Sequence, residues 1–235
     1  VSTEAMAGTY STIERPSPNF DARETGVPVD MLVMHYTGMP SGEEALSRLT
    51  DVEYQVSAHY MIEEDGRVFA LVDEADRAWH AGVSYWRGYR NINARSIGIE
   101  LVNPGHEFGY RGFPEVQMRA LEALALDILS RHAIPRRNVV GHSDIAPTRK
   151  DDPGELFDWR SLAAQGIGLW PERADHAPEN VMEALSVIGY DTVDYARTLA
   201  AFQRHFRQYE VHGHADSDTL CWLQGAANMY AASDS

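Results

Sequence analysis

The run Met31–Tyr36 (MLVMHY) constrains this chain more than any other stretch. Its apolar residues are continuous rather than alternating, and it holds β-branched and long side chains with no proline or glycine. Such a run reads as a strand buried on both faces, which needs a layer of structure above it and another below. Ser96–Val102 (SIGIELV) is a second strand of this kind, and Asn138–Gly141 a short third. Ala58–Glu63 and Arg67–Val72 flank Glu64-Asp65-Gly66, and an Asp-Gly between two apolar runs signals a hairpin. Between the strands the period changes to that of a helix. In Pro114–Ala133, Leu121, Leu124, Ala125 and Ile128 fall on one face, with Pro114 suited to the first turn and Pro135 ending the segment. A weaker helix fits Glu43–Leu49. The fold class expected is α/β, a central mixed β-sheet flanked by helices.

The pattern divides the chain into four parts. Residues 1–29 are polar and carry Pro16, Pro18 and Pro28, so they read as an extended N-terminal arm. Residues 30–170 hold the sheet. Residues 171–177 lie in a proline- and charge-rich stretch (WPERADHAPE) that reads as a linker. Residues 178–235 are helical throughout, with helices expected at Pro178–Ile188, stopped by Gly189, at Val193–Phe206 and at Asp218–Tyr230. Leu199, Phe202 and Phe206 share a face, as do Leu220, Leu223, Ala227 and Tyr230. Three short helices make a small domain whose own core is marginal.

Composition removes several classes of function. The net charge of −15 argues against nucleic acid as a partner, since phosphate binding needs clustered Lys and Arg. No run approaches the roughly 18–20 apolar residues of a membrane span. The single cysteine, Cys221, excludes an internal disulfide framework and a cysteine-rich zinc site, so any metal must be held by His and carboxylate. The start, VSTEAMAGTYSTIERPSPNF, shows no secretory leader pattern, and a processed chain would have lost one. No interface pattern stands out, and a monomer is expected.

Ten histidines leave the question of which sit where chemistry is done. His35 ends the buried strand just before Thr37-Gly38, a position on the rim of a sheet; it is either a site residue or a satisfied core histidine. His142 opens GHSDIAPTRKDDPG, a segment bracketed by prolines in which Lys150 and Asp152, two apart, point the same way if extended. Glu100 lies within a strongly apolar strand. It is either exposed on one face or buried with a partner, and it shares its face with Gly98, which leaves room beside it. A half-buried carboxylate beside a cleft is a candidate general base.

Taken in order, MHYTG (34–38), SAHY (57–60), AWHAG (78–82), SIGIE (96–100) and GHSDIAPTRKDDPG (141–154) closely resemble the zinc N-acetylmuramoyl-L-alanine amidases of the phage-lysozyme and peptidoglycan-recognition-protein superfamily, the AmpD- and AmiD-like branch in particular. The resemblance covers about residues 15–170. TLAAFQRHF and HGHADSDTL in the tail more loosely resemble the three-helix peptidoglycan-binding domain that follows some of these amidases. The resemblance implies His35, His142 and Asp152 as ligands of Zn2+, with Asp152 preferred to Asp151 because the pattern is Lys-x-Asp-Pro-Gly. It implies Glu100 and Lys150 as catalytic, and it places His59, Trp79 and His80 in motifs that line the substrate groove. Peptidoglycan or muropeptides are the implied partner. Non-catalytic recognition proteins of the same superfamily lack a metal ligand, whereas all five positions are intact here. A zinc hydrolase of another amide, and a tail that braces the fold instead of binding wall, are the competing readings. A wall-binding tail points to the cell envelope and the absent leader to the cytoplasm.

Overall fold

The computed structural model describes residues 10–233. The elements follow the chain as strands β1 (Thr12–Glu14), β2 (Phe20–Ala22) and β3 (Met31–Tyr36), helix α1 (Gly42–Thr50), strands β4 (Tyr60–Ile62), β5 (Val68–Ala70), β6 (Asp76–Ala78) and β7 (Ser96–Leu101), helices α2 (Gly105–Phe108) and α3 (Glu115–Arg131), strand β8 (Val139–Gly141), and helices α4 (His142–Ile145), α5 (Trp159–Ala164), α6 (Val181–Ile188), α7 (Tyr195–Phe206) and α8 (Ser217–Ala232). Six strands form one mixed sheet in the order β1-β5-β4-β7-β3-β8, and β2 pairs with β6 in a separate ribbon. β4 and β5 are the expected antiparallel hairpin; the other pairs in the large sheet are parallel. The α/β class and central mixed sheet expected from the sequence are therefore present. The arm is more ordered than an extended leader: within it, β1 adds a strand to the edge of the sheet and β2 pairs with β6.

β3 lies between β7 and β8, and the sheet separates two apolar layers. On one side Leu32, Met34, Ile97, Ile99 and Val139 pack against Leu121, Leu124, Ala125 and Ile128 of α3. Gln117, the buried polar residue of that helix face, donates from Nε2 to the carbonyls of Ile62 and Val102, both at 3.0 Å, and so ties the helix to two strand ends. On the other side Met31, Val33 and Val140 share one cluster with Ile145, Trp86, Leu185, Ile188, Tyr190, Leu199, Phe202, Phe206, Leu223 and Tyr230. The three C-terminal helices thus supply much of the second layer that a doubly buried strand demands.

Polar contacts fasten this layer. Arg87 donates to the carbonyls of Val187 and Ile188 at 2.9 and 3.0 Å, closing the end of α6. Residues 172–174 run against α8: Ala174 donates its N–H to the Cys221 carbonyl at 3.1 Å, and a side chain at Gly225 would collide with the Glu172 carbonyl. No helix among the described residues is long and apolar enough to cross a membrane.

Candidate active site

Parallel pairing of β3 with β7 sets His35 opposite Glu100 and Val33 opposite Gly98, so both candidate side chains leave the same face near the strand ends. β8 runs beside β3 and turns directly into α4, whose first residue is His142. The buried Asp144 carboxylate caps that turn, accepting the Gly141 N–H at 2.7 Å. It also accepts His205 Nδ1 of α7 at 2.7 Å and the Tyr190 hydroxyl at 2.6 Å. The segment then loops back, with Ser143 N–H bonded to the Asp152 carbonyl at 2.8 Å, which returns Asp152 to His142.

Three atoms able to bind a metal meet there. His35 Nδ1 lies 3.0 Å from His142 Nδ1, and each lies 3.1 Å from Asp152 Oδ2. All three residues are buried. A tetrahedral ion with bond lengths of about 2.0–2.1 Å needs donors about 3.3 Å apart, close to this triangle. The opposite nitrogen of His142, Nε2, sits 3.1 Å from the Ala81 carbonyl, which can only accept, so a neutral His142 carries its hydrogen there and turns a bare Nδ1 to the centre. The donor set fits a zinc ion. Burial, then the neighbouring His142, hold the His35 ring down to about 4, against the pull of Asp152. Burial alone would raise the Asp152 carboxyl, but the two imidazoles outweigh it and keep it well below the usual carboxylate range. Asp151 points elsewhere and pairs with Arg204 of α7 at 2.7 Å.

The triangle borders a cleft of about 820 Å³ whose lining includes Trp79, His80, Glu100, His142, Lys150 and Asp152. Glu100 is half-buried, and its Oε2 has no hydrogen-bond partner among the described residues. Burial, then the Asp152 charge, push its carboxyl well above the ordinary carboxylate value, with Lys150 opposing. His35, His142, Asp152, Glu100 and Lys150 are thus brought to one place. His59 is not in the cleft lining: it is fully buried, Nδ1 accepting the Gly98 N–H at 3.0 Å and Nε2 facing the Asp76 carbonyl at 3.2 Å. Burial and the Arg23 charge hold its ring down to about 3. Trp79 reaches the cleft, whereas His80 borders it but turns its ring nitrogens to His35 and Ser96, at 3.0 Å each.

Several residues that shape the site escaped the sequence reading. Asn93 Oδ1 accepts the backbone N–H of both His80 and Ala81, at 3.1 and 2.7 Å. Arg149 donates to the carbonyls of Ala81 and Val83, which fixes the loop that carries the His142 acceptor. Neither lies in a periodic pattern, so only the motif neighbourhoods, SIGIE for Asn93 and TRK for Arg149, could have drawn attention to them.

The model of the N-acetylmuramoyl-L-alanine amidase family, Amidase_2, matches residues 25–155, more than half of the chain. The chain belongs to that family. As an N-acetylmuramoyl-L-alanine amidase it hydrolyses the amide between the lactoyl group of N-acetylmuramic acid and the L-alanine of the stem peptide. The amidase is 39% identical to the N-acetylmuramoyl-L-alanine amidase AmiD of Escherichia coli, over 95% of this chain and 93% of that protein. A solved complex of that AmiD with anhydro-N-acetylmuramic acid-L-Ala-D-gamma-Glu-L-Lys superposes with a TM-score of 0.78, covering 88% of this amidase and 92% of that chain. AmpDh3 of Pseudomonas aeruginosa, solved with an anhydromuramic pentapeptide, gives 0.80 at 37% identity, with 88% and 95% covered.

Proposed function

We propose that the amidase is zinc-dependent, that His35, His142 and Asp152 hold the ion, and that Glu100 and Lys150 carry out the proton transfer and charge stabilisation. The observation that supports this most is the buried triangle of two imidazole nitrogens and one carboxylate oxygen, with a carboxylate oxygen of Glu100 that has no hydrogen-bond partner among the described residues on the wall of the same cleft. Two His and one carboxylate leave a fourth position open, the pattern of a catalytic site. The chemistry that zinc supplies when bound is Lewis-acid activation of water and of the scissile carbonyl. Glu100 takes the proton of the attacking water and returns it to the L-alanine amine as the bond breaks. A carboxyl pushed upward by its surroundings suits a group that must both take and return a proton. The Lys150 ammonium faces the charge that develops on the lactoyl oxygen.

The substrate class we propose is muropeptide, free or within peptidoglycan. Support comes from the ligands of AmiD and AmpDh3 named above and from a cleft large enough for a sugar and part of a peptide. For the C-terminal helices we propose two roles: the peptidoglycan-binding module their sequence resembles, and a brace, favoured by their shared apolar cluster with β3 and by the His205 and Tyr190 bonds to Asp144. The test of the catalytic assignment is Glu100→Gln, assayed on purified muropeptides beside zinc content. The expected result is about one zinc per chain with turnover lost by at least 10²-fold. Near-wild-type turnover would remove Glu100 from the mechanism, and absence of zinc in the wild type would remove the metal.

A further inference from the structure

Behind the metal-ligand triangle a chain of hydrogen bonds runs back into the protein, and a backbone carbonyl fixes its direction. Ser96 Oγ lies 2.8 Å from the Ile92 carbonyl. A carbonyl has no hydrogen to give, so the serine hydroxyl hydrogen points at it. Ser96 Oγ then has only lone pairs to offer His80 Nε2 at 3.0 Å, and that nitrogen must carry a hydrogen. A neutral His80 is therefore bare at Nδ1 and accepts from His35 Nε2 at 3.0 Å. A neutral His35 that gives its Nε2 hydrogen to His80 has its lone pair on Nδ1, the atom that faces His142 and Asp152. The Asp152 carboxylate, 3.1 Å from Nδ1, also only accepts and draws a hydrogen there, so the His80 acceptor is the group that opposes it.

The surroundings hold this chain in place. Ser96, His80 and His35 are 0%, 8% and 1% exposed, so water is largely kept from competing for their hydrogen bonds. His80 is held at its backbone by Asn93, and its ring lies against the open face of Gly98, where any side chain would meet the ring. We infer that His80 is a positioning residue, which, through Ser96 and the Ile92 carbonyl, sets the His35 tautomer with Nδ1 bare before a metal arrives. The inference rests on the reading of His35, His142 and Asp152 as a metal site. It gives His80 a task that contact with substrate would not: a neutral imidazole acceptor, in place of the usual carboxylate or carbonyl, behind a metal ligand.

The relay is visible without metal, which separates its failure from that of the metal reading. The experiment records histidine ring ¹⁵N spectra of the metal-free wild type and of Ser96→Ala, and measures zinc affinity by chelator competition for the wild type, Ser96→Ala and His80→Ala. Expected are a single Nε2–H tautomer of His35 in the metal-free wild type, a mixture in Ser96→Ala, and zinc affinity lower by roughly 10–100-fold in His80→Ala, with a fall in the same direction in Ser96→Ala. Thermal unfolding identifies any variant that fails to fold; Ser96→Ala removes one oxygen and keeps the test open if His80→Ala does not fold. An Nδ1–H tautomer of His35 in the metal-free wild type overturns the proposal. So do variants that keep wild-type zinc affinity and instead raise KM, the signature of a substrate contact. A wild type that binds no zinc overturns the metal reading, and the proposal with it, whatever the tautomer.

Discussion

Gly98→Ala adds one methyl group at the most crowded point behind the site. The new Cβ would stand 2.5 Å from His80 Cγ, 2.6 Å from Nδ1 and 2.8 Å from Cδ2, all below any real carbon contact. The ring has little freedom to yield, because one nitrogen is bonded to Ser96, the other to His35, and the backbone on either side to Asn93. Overpacking of a rigid site costs about 1–3 kcal/mol, and each hydrogen bond lost as the ring shifts adds about 1 kcal/mol. A total of about 3 kcal/mol lowers the melting temperature of a chain of this size by roughly 6–12 °C. The assay is thermal unfolding with chelator present, so that metal release does not contribute, followed by zinc competition on the refolded protein. Gly98→Ala/His80→Ala supplies the control: with the ring gone the methyl has space, and the two costs fall short of additive by about 1 kcal/mol or more. A Gly98→Ala protein as stable and as zinc-avid as wild type, or strict additivity in the double variant, would refute the reasoning.

Tyr190→Phe leaves Asp144 Oδ1 without its 2.6 Å donor inside the protein and is expected to cost about 1.5–3 kcal/mol in chemical denaturation; an unchanged midpoint would mean that the C-terminal helices do not lean on this carboxylate. Glu74 is a test of pH dependence. Burial alone would raise its carboxyl, but hydrogen bonds from Arg131, Tyr60 and His132 outweigh it and hold it down to about 2. A depressed carboxyl stabilises fully above its unfolded value of about 4.5, and that stabilisation is lost as pH falls from there toward 2. Glu74→Gln is therefore expected to lose about 2 kcal/mol at neutral pH, after allowance for solvent screening, and to show a flatter loss of stability between those pH values, measured by urea unfolding of metal-free protein. Parallel wild-type and variant curves would remove Glu74 as the cause.

The parts of this molecule that were legible in its sequence are those where a period or a motif repeats a physical demand. Met31–Tyr36 and the α3 face through Leu121, Leu124 and Ile128 follow from burial, and the structure reproduces both. β1, β2 and β6 have three residues each, too few to show alternation, and the partners that stabilise them lie far along the chain. In the site, Gly98 was read as room beside Glu100. The room is filled by the ring of His80, some eighteen residues away, and a motif search has no means of placing that ring behind His35 instead of in the groove. Hydrogen-bond direction is likewise invisible until Ser96 is seen beside the Ile92 carbonyl.

The tail shows the same logic at the scale of a layer. A strand apolar at every position from Met31 to Met34 must be covered twice. Residues 30–170 contain one long helix, α3, and it covers the Leu32 and Met34 side. The demand on the Met31 and Val33 side is met in large part by α6, α7 and α8. Their buried residues pack on one another and join the same apolar cluster as Met31, Val33 and Val140, so the small core they make together is continued by the sheet. That places His205 and Arg204 of α7, and Tyr190 between α6 and α7, beside Asp144 and Asp151, which lie within the segment from His142 to Asp152. The same packing that completes the core thereby holds the loop between His142 and Asp152.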